Sequence, residues 1–203
     1  LQADLTSMLP RLKKSNLERE FLVKASRIKG LNAADGQLRA VDATAGFGED
    51  SLLLAAAGYN VELYEYDPVI AALLRDALRR AAKSSDDALR DAVNRMDLRE
   101  GDSVSAMRAM AGSNEPPDIV LLDPMFPERR KSALVKKKFQ LLQQLESPCE
   151  GADESELLEA AEAAGPRRII IKRPLKGPYL AGRRPGYSIT GKAVRYDCIV
   201  IPR

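Results

Sequence analysis

The sequence predicts an α/β fold: a mostly parallel seven-stranded sheet with an antiparallel edge strand and helices on both faces. Three observations predict it. Apolar runs of strand length alternate with segments of helical period, the pattern of parallel strands joined by crossover helices. The run "DIVLLD" is short and apolar, as strands covered on both faces are, and "RRIIIKRP" is a strongly β-branched strand. The final "YSITGKAVRYDCIVIP" holds two strand patterns with only a turn around Gly191 between them, which pairs them antiparallel.

The elements can be taken in chain order. Residues 1–30 place Leu17, Phe21, Leu22 and Ala25 at helical spacing among lysines and arginines, predicting a basic amphipathic lead-in helix. "LRAVDAT" is a strand that runs into a glycine turn, and "EDSLLLAAAGY" is a helix stopped by Gly58. "NVELYEYD" is the second strand. Pro68 then opens a helix whose Ile70, Leu73, Leu74, Ala77 and Leu78 share one face, with Asp67 as its cap. "SSDDALRDAVN" is polar and partly helical. "RMDLREGD" supplies a third, weaker strand, and a short helix follows near Val104 to Met110. After "DIVLLD" come helix patterns over 132–145 and 154–164, then "RRIIIKRP" and the closing strand pair.

Composition narrows the chemistry. The chain has 203 residues, 45% hydrophobic and 30% charged, enough apolar material for one main domain with its own core. No apolar run approaches the roughly 20 residues that cross a bilayer, and the first residues lack signal-peptide order, so the expected location is cytoplasmic. With no histidine, Ser-His-Asp and Cys-His catalysis and the usual metal triads are excluded. Cys149 and Cys198 lack CxxC spacing, so neither a zinc site nor any other metal site is expected. The net charge is only +3, but the cations cluster locally, which fits a polyanionic partner.

In open α/β sheets, ligands bind outside the carboxyl ends of the strands, so the residues ending each strand are the candidates. In "VDATAGFGED", Gly46 and Gly48 follow a strand and open a helix, where backbone can approach a ligand closely. Asp42, just before that turn, suits a ligand bearing positive charge or hydroxyls. The third glycine of a dinucleotide fingerprint would fall at Ser51, which disfavours a nicotinamide cofactor. Glu65 ends the second strand nineteen positions after Gly46, where an acid accepts ribose hydroxyls; a solvated carboxylate is the alternative. Asp102 could accept from an adenine amino group or cap the next helix, and Ser103 could cap as well.

The fourth strand ends in "DPMFP". Asp123 emerges at the ligand edge, while Pro124 and Pro127 stiffen the loop and remove donors. A carboxylate, the bare Pro124 carbonyl and the Phe126 ring suit a planar base with an exocyclic amine: the oxygens take its protons and the ring stacks on it. The bland alternative makes Phe126 core and Asp123 a cap. The cations that follow, Arg129, Arg130, Lys131, Lys136, Lys137 and Lys138, adjoin this loop and could hold RNA phosphates around such a base, or form a solvated helix face.

"DATAGFGED", "DPMFP" followed by "KSALVKK", and "IIIKRP" with the closing "VRYD" resemble the RsmJ family of S-adenosylmethionine-dependent methyltransferases. The resemblance implies a Rossmann-like methyltransferase fold over 31–203, preceded by a basic lead-in over 1–30 that is truncated relative to the family. It implies methyl transfer from S-adenosylmethionine to the N2 amine of a guanine in small-subunit ribosomal RNA, on free RNA or the assembled subunit. Carried over by position, cofactor contacts fall on Glu49, Asp50, Glu65, Tyr66, Asp102, Ser103 and Asp123. Met125 stands where amino-methyltransferases more broadly have a second proline. Two other functions remain open at this point: a nicotinamide-dependent oxidoreductase using the same turn, and a non-catalytic RNA-binding module.

Overall fold

A computed structural model describes residues 2–31, 38–124 and 154–202. Seven strands form one sheet: β1 (Arg39–Asp42), β2 (Asn60–Glu65), β3 (Met96–Glu100), β4 (Ile119–Leu122), β5 (Arg168–Pro174), β6 (Tyr187–Thr190) and β7 (Val194–Val200). Their order is β3-β2-β1-β4-β5-β7-β6. The first five run parallel, and the chain reverses between β1 and β4, the topological switch point where such sheets open a crevice. The antiparallel pairing lies at one edge, as expected, and the reversed strand is β7, inserted between β5 and the outermost β6.

β4 is buried at every position, as its continuous apolar run requires. Alternate residues feed two cores. Ala40, Leu121, Ile170, Tyr196 and Cys198 face one, and Val41, Val120, Ile169, Ile171 and Ile199 face the other. The first face carries α4 (Glu49–Ala56), α5 (Pro68–Ala81) and α6 (Asp87–Val93) through Leu52, Leu74 and Leu89. The second carries α7 (Ser103–Ala109) and α8 (Glu154–Ala163) through Met107, Leu157 and Leu158. Asp67 caps α5 as read, accepting from the amides of Val69 at 2.8 Å and Ile70 at 3.0 Å.

The lead-in differs from the single helix its spacing predicts. It is a 3-10 turn, Leu5–Met8, followed by α1 (Leu9–Leu12), α2 (Lys14–Leu17) and α3 (Phe21–Ser26). Lys13 and Glu20 take ψ near 130°, which breaks the helical ladder at two points. The breaks let the segment wrap rather than stand off: Leu5, Met8, Leu12, Leu22 and Ala25 are all buried in the first core. Of the residues the spacing picks out, Leu22 and Ala25 are buried, Leu17 is partly buried and Phe21 stays 36% exposed.

Candidate active site

The glycine turn is built from inside outward. Asp42 ends β1 at 2% exposure, with its carboxylate taking Ser51 Oγ at 2.5 Å and the Thr44 amide at 3.1 Å. Burial pushes its carboxyl up to about 7, against the lowering effect of those two hydrogen bonds. Asp42 therefore ties the turn to the first turn of α4. Ser51, the residue that broke the dinucleotide pattern, is its partner.

The two glycines do different things. Gly48 caps α4 at φ 73°, and a Cβ there would lie 2.9 Å from Leu74 Cδ1, so the residue lets α4 close onto α5. Gly46 has φ 53°, and a Cβ there would meet no atom of the described residues within 4 Å. Space therefore lies over Gly46, where a ligand can approach the backbone.

Glu65 faces that space. Its Oε2 accepts the Gly46 amide at 2.8 Å and its Oε1 accepts the Asp67 amide at 2.8 Å. Burial raises its carboxyl, opposed by these backbone donors. Each oxygen keeps a lone pair for a further donor. Tyr66 next to it is 68% exposed. Beyond β3, Asp102 accepts the amides of Val104 and Ser105, each at 3.0 Å, and the Ser105 hydroxyl at 2.5 Å. The Ser105 hydroxyl is the main cause holding its carboxyl low. Capping α7 is the role these distances show for Asp102; Ser103 lies in the first turn of that helix.

The link between the two halves is Lys172, whose site role the sequence reading missed. Its ammonium lies 2.6 Å from Asp50 Oδ2 on α4 and 2.9 Å from Asp123 Oδ2 after β4. Burial alone would lower this ammonium, but the two carboxylates beside it carry the net shift upward. Asp123 is raised, with burial the largest cause and Lys172 opposing it. The Asp123 amide donates to Thr44 Oγ1 at 2.7 Å, which fixes the start of the loop to the glycine turn. Glu65, the turn, Thr44, Asp123, Lys172 and Asp50 thus form one connected arc across β2, β1, β4 and β5. The one cue in the sequence was a cation inside the apolar "IIIKRP".

Glu49 is exposed at the start of α4, and Pro124 follows Asp123 in the described chain. Phe126, Arg129, Arg130, Lys131, Lys136, Lys137, Lys138 and Cys149 lie outside the described residues, as does the helix read over 132–145. Cys198 is buried and free in β7.

The arc fits a ligand with positive charge, hydroxyls and a need for close backbone approach. A family model described as "Putative SAM-dependent methyltransferase" matches residues 2–201. Ribosomal RNA small subunit methyltransferase J of Dechloromonas aromatica is 45% identical over 157 residues, 77% of this chain and 62% of that protein. The protein of the same name from Pseudomonas fluorescens is 44% identical over 170 residues, covering 83% and 63%. This chain therefore spans about three fifths of the length of such curated relatives. A crystal structure of a SAM-dependent methyltransferase from Neisseria gonorrhoeae superposes with a TM-score of 0.74 at 32% identity, covering 98% of this chain and 74% of that one. The rRNA methyltransferase aviRa of Streptomyces viridochromogenes, at 18% identity and a TM-score of 0.55 over 91% of this chain and 84% of its own, shares the fold.

Proposed function

The chain belongs to the SAM-dependent methyltransferase family, and from that premise we propose that it transfers a methyl group to the exocyclic N2 amine of a guanine in small-subunit ribosomal RNA. The observation that carries this reading is the Asp50–Lys172–Asp123 bridge, which joins the glycine turn to the "DPMFP" loop. Family membership sets aside the nicotinamide alternative. The names of the relatives support small-subunit RNA as substrate. The guanine amine is supported by the resemblance of "DPMFP", an acid, a bare carbonyl and an aromatic in succession.

The residues present fit S-adenosylmethionine. Open space over Gly46 admits a ligand to the backbone, Glu65 offers two acceptor oxygens, and Asp50 and Asp123 supply negative potential, while Asp42 holds the turn from below. In this reading Gly46, Glu49, Asp50, Glu65 and Tyr66 line the cofactor side, with Asp102 and Ser103 toward the adenine, while Gly48 packs α4 onto α5. When bound, the cofactor supplies an electrophilic methyl on a cationic sulfur. Asp123 and the Pro124 carbonyl would each accept a hydrogen bond from the amine, which orients the nitrogen, and Phe126 would fix the plane of the base. Asp123, kept anionic by Lys172, also favours the positive charge that grows on the nitrogen. Positioning carries such a transfer, so a chain without imidazole can perform it.

Arg129, Arg130, Lys131 and Lys136 to Lys138 would hold phosphates near the loop, and a cytoplasmic place of work follows from the RNA substrate. Among the described residues no helix is long and apolar enough to cross a membrane. The test incubates the protein with labelled S-adenosylmethionine and small-subunit RNA or particles lacking the modification, then identifies the labelled nucleoside. N2-methylguanosine is expected. A different methylated nucleoside overturns the target, and cofactor binding without any label favours the non-catalytic RNA module.

A further inference from the structure

Three elements far apart in sequence meet at the carboxyl edge of the sheet, beyond β5. Pairing of Pro174 with Val194 sets the loop after β5 beside the turn between β6 and β7. The helix α3 packs on β5, β6 and β7. Its Phe21 ring abuts that turn, because a Cβ added at Gly191 would come 3.0 Å from Phe21 Cδ2. This edge carries two aromatic rings with substantial exposure, Phe21 at 36% on the face that α3 covers and Tyr179 at 40% on the face of Arg195. The same three elements carry exposed lysines: Lys24, whose ammonium is 5.2 Å from the Phe21 ring centre, Lys176 and Lys192.

The loop is held firmly from below. Arg195 Nη1 donates to the carbonyls of Pro174 at 2.7 Å and Leu175 at 2.9 Å, and Arg173 Nε donates to that of Pro178 at 3.0 Å. Water could have satisfied these carbonyls, whereas burying two guanidiniums to do so carries a desolvation penalty. What that arrangement secures is a fixed position for Lys176 and for Tyr179, which has the Arg195 guanidinium 5.1 Å from its ring centre.

Exposed rings and lysines at one sheet edge suit single-stranded nucleic acid, in which rings stack on bases and ammonium groups meet phosphates. We propose that this rim docks the single-stranded RNA flanking the target base, an inference that rests on the RNA-methylating reading above. From Asp123 at the end of β4 to β7 is two strand spacings, about 10 Å, so a strand on the rim adjoins the base delivered to the site. The rim also gives the basic lead-in a task, since α3 forms one of its walls.

The test measures binding of a small-subunit RNA fragment by anisotropy over a range of salt, with cofactor affinity measured in parallel. Replacing Lys24, Lys176 and Lys192 together by Gln should reduce the slope of log K against log salt by about 2, at about 0.7 per lost contact. Tyr179→Ala should weaken RNA binding by about 5- to 100-fold. Cofactor affinity and turnover at saturating RNA should stay as in the parent protein. Unchanged RNA affinity and slope in both variants overturn the rim while leaving the methyltransferase reading intact. A parent protein that binds cofactor but no small-subunit RNA overturns both. Weakened binding to the assembled subunit with unchanged binding to naked RNA assigns the rim to a protein partner and overturns the RNA assignment.

Discussion

Lys172 and Arg173 are neighbours on β5 that point to opposite faces, and each is a cation set among oxygens. Lys172 joins two carboxylates from different elements at the ligand edge, its side chain 25% exposed and that of Asp123 40%. Arg173 is 1% exposed and, with Arg195, binds loop carbonyls, Glu154 and the buried Asp197. Lysine serves where a compact charge must hold acids that a ligand will also address. Arginine serves where several fixed acceptors must be met at once in a dry place. In the proposed reading the first cluster serves the reaction, and the second fixes the shape of a loop.

Substitutions should separate the two. Arg195→Met strands Asp197 in a buried setting, and should destabilise the protein by about 3–5 kcal/mol in urea denaturation. A loss below about 1 kcal/mol would mean the arginine network is not what holds the loop. Lys172→Met should act mainly on turnover, lowering kcat by roughly 100-fold, about 2.7 kcal/mol, through misplaced Asp123 and Asp50. The same change should move the acid limb of the rate profile upward. Asp123 is already raised by burial and Lys172 opposes that, so without the cation the carboxyl holds its proton to higher pH. An unmoved limb would show that Asp123 need not be ionised.

The glycine turn repeats the contrast on a smaller scale. Gly48→Ala brings a methyl to 2.9 Å from Leu74 and should destabilise by about 1–3 kcal/mol. Gly46→Ala meets no atom among the described residues, so the left-handed backbone opposes it, at about 1 kcal/mol. Its effect should show instead in cofactor affinity, measured by titration calorimetry. Equal stability losses at the two positions would contradict the division between packing and access.

Much of this was legible in the chain because strand ends are marked by local chemistry. Asp42 and Asp123 each close an apolar run and Glu65 closes an alternating one, and the parallel topology brings such ends to one edge. Lys172 was hidden because its role depends on the register of β4 against β5, with Leu122 opposite Ile171, and no local pattern encodes that pairing. Asp42 looked like a ligand residue, but its partners Ser51 and Thr44 are fixed by how the turn folds back. The breaks at Lys13 and Glu20 were equally hidden, since an apolar stripe does not say how curved its partner surface is.

The most direct test of the central claim, that the amine is held by Asp123 while the glycine turn and Glu65 hold the cofactor, is a paired measurement on Asp123→Ala. Methyl transfer to small-subunit RNA and affinity for S-adenosylmethionine would be determined on the same preparation. The account predicts that turnover is abolished while cofactor affinity is largely retained. Equal loss of both would contradict it and make Asp123 a cofactor ligand first.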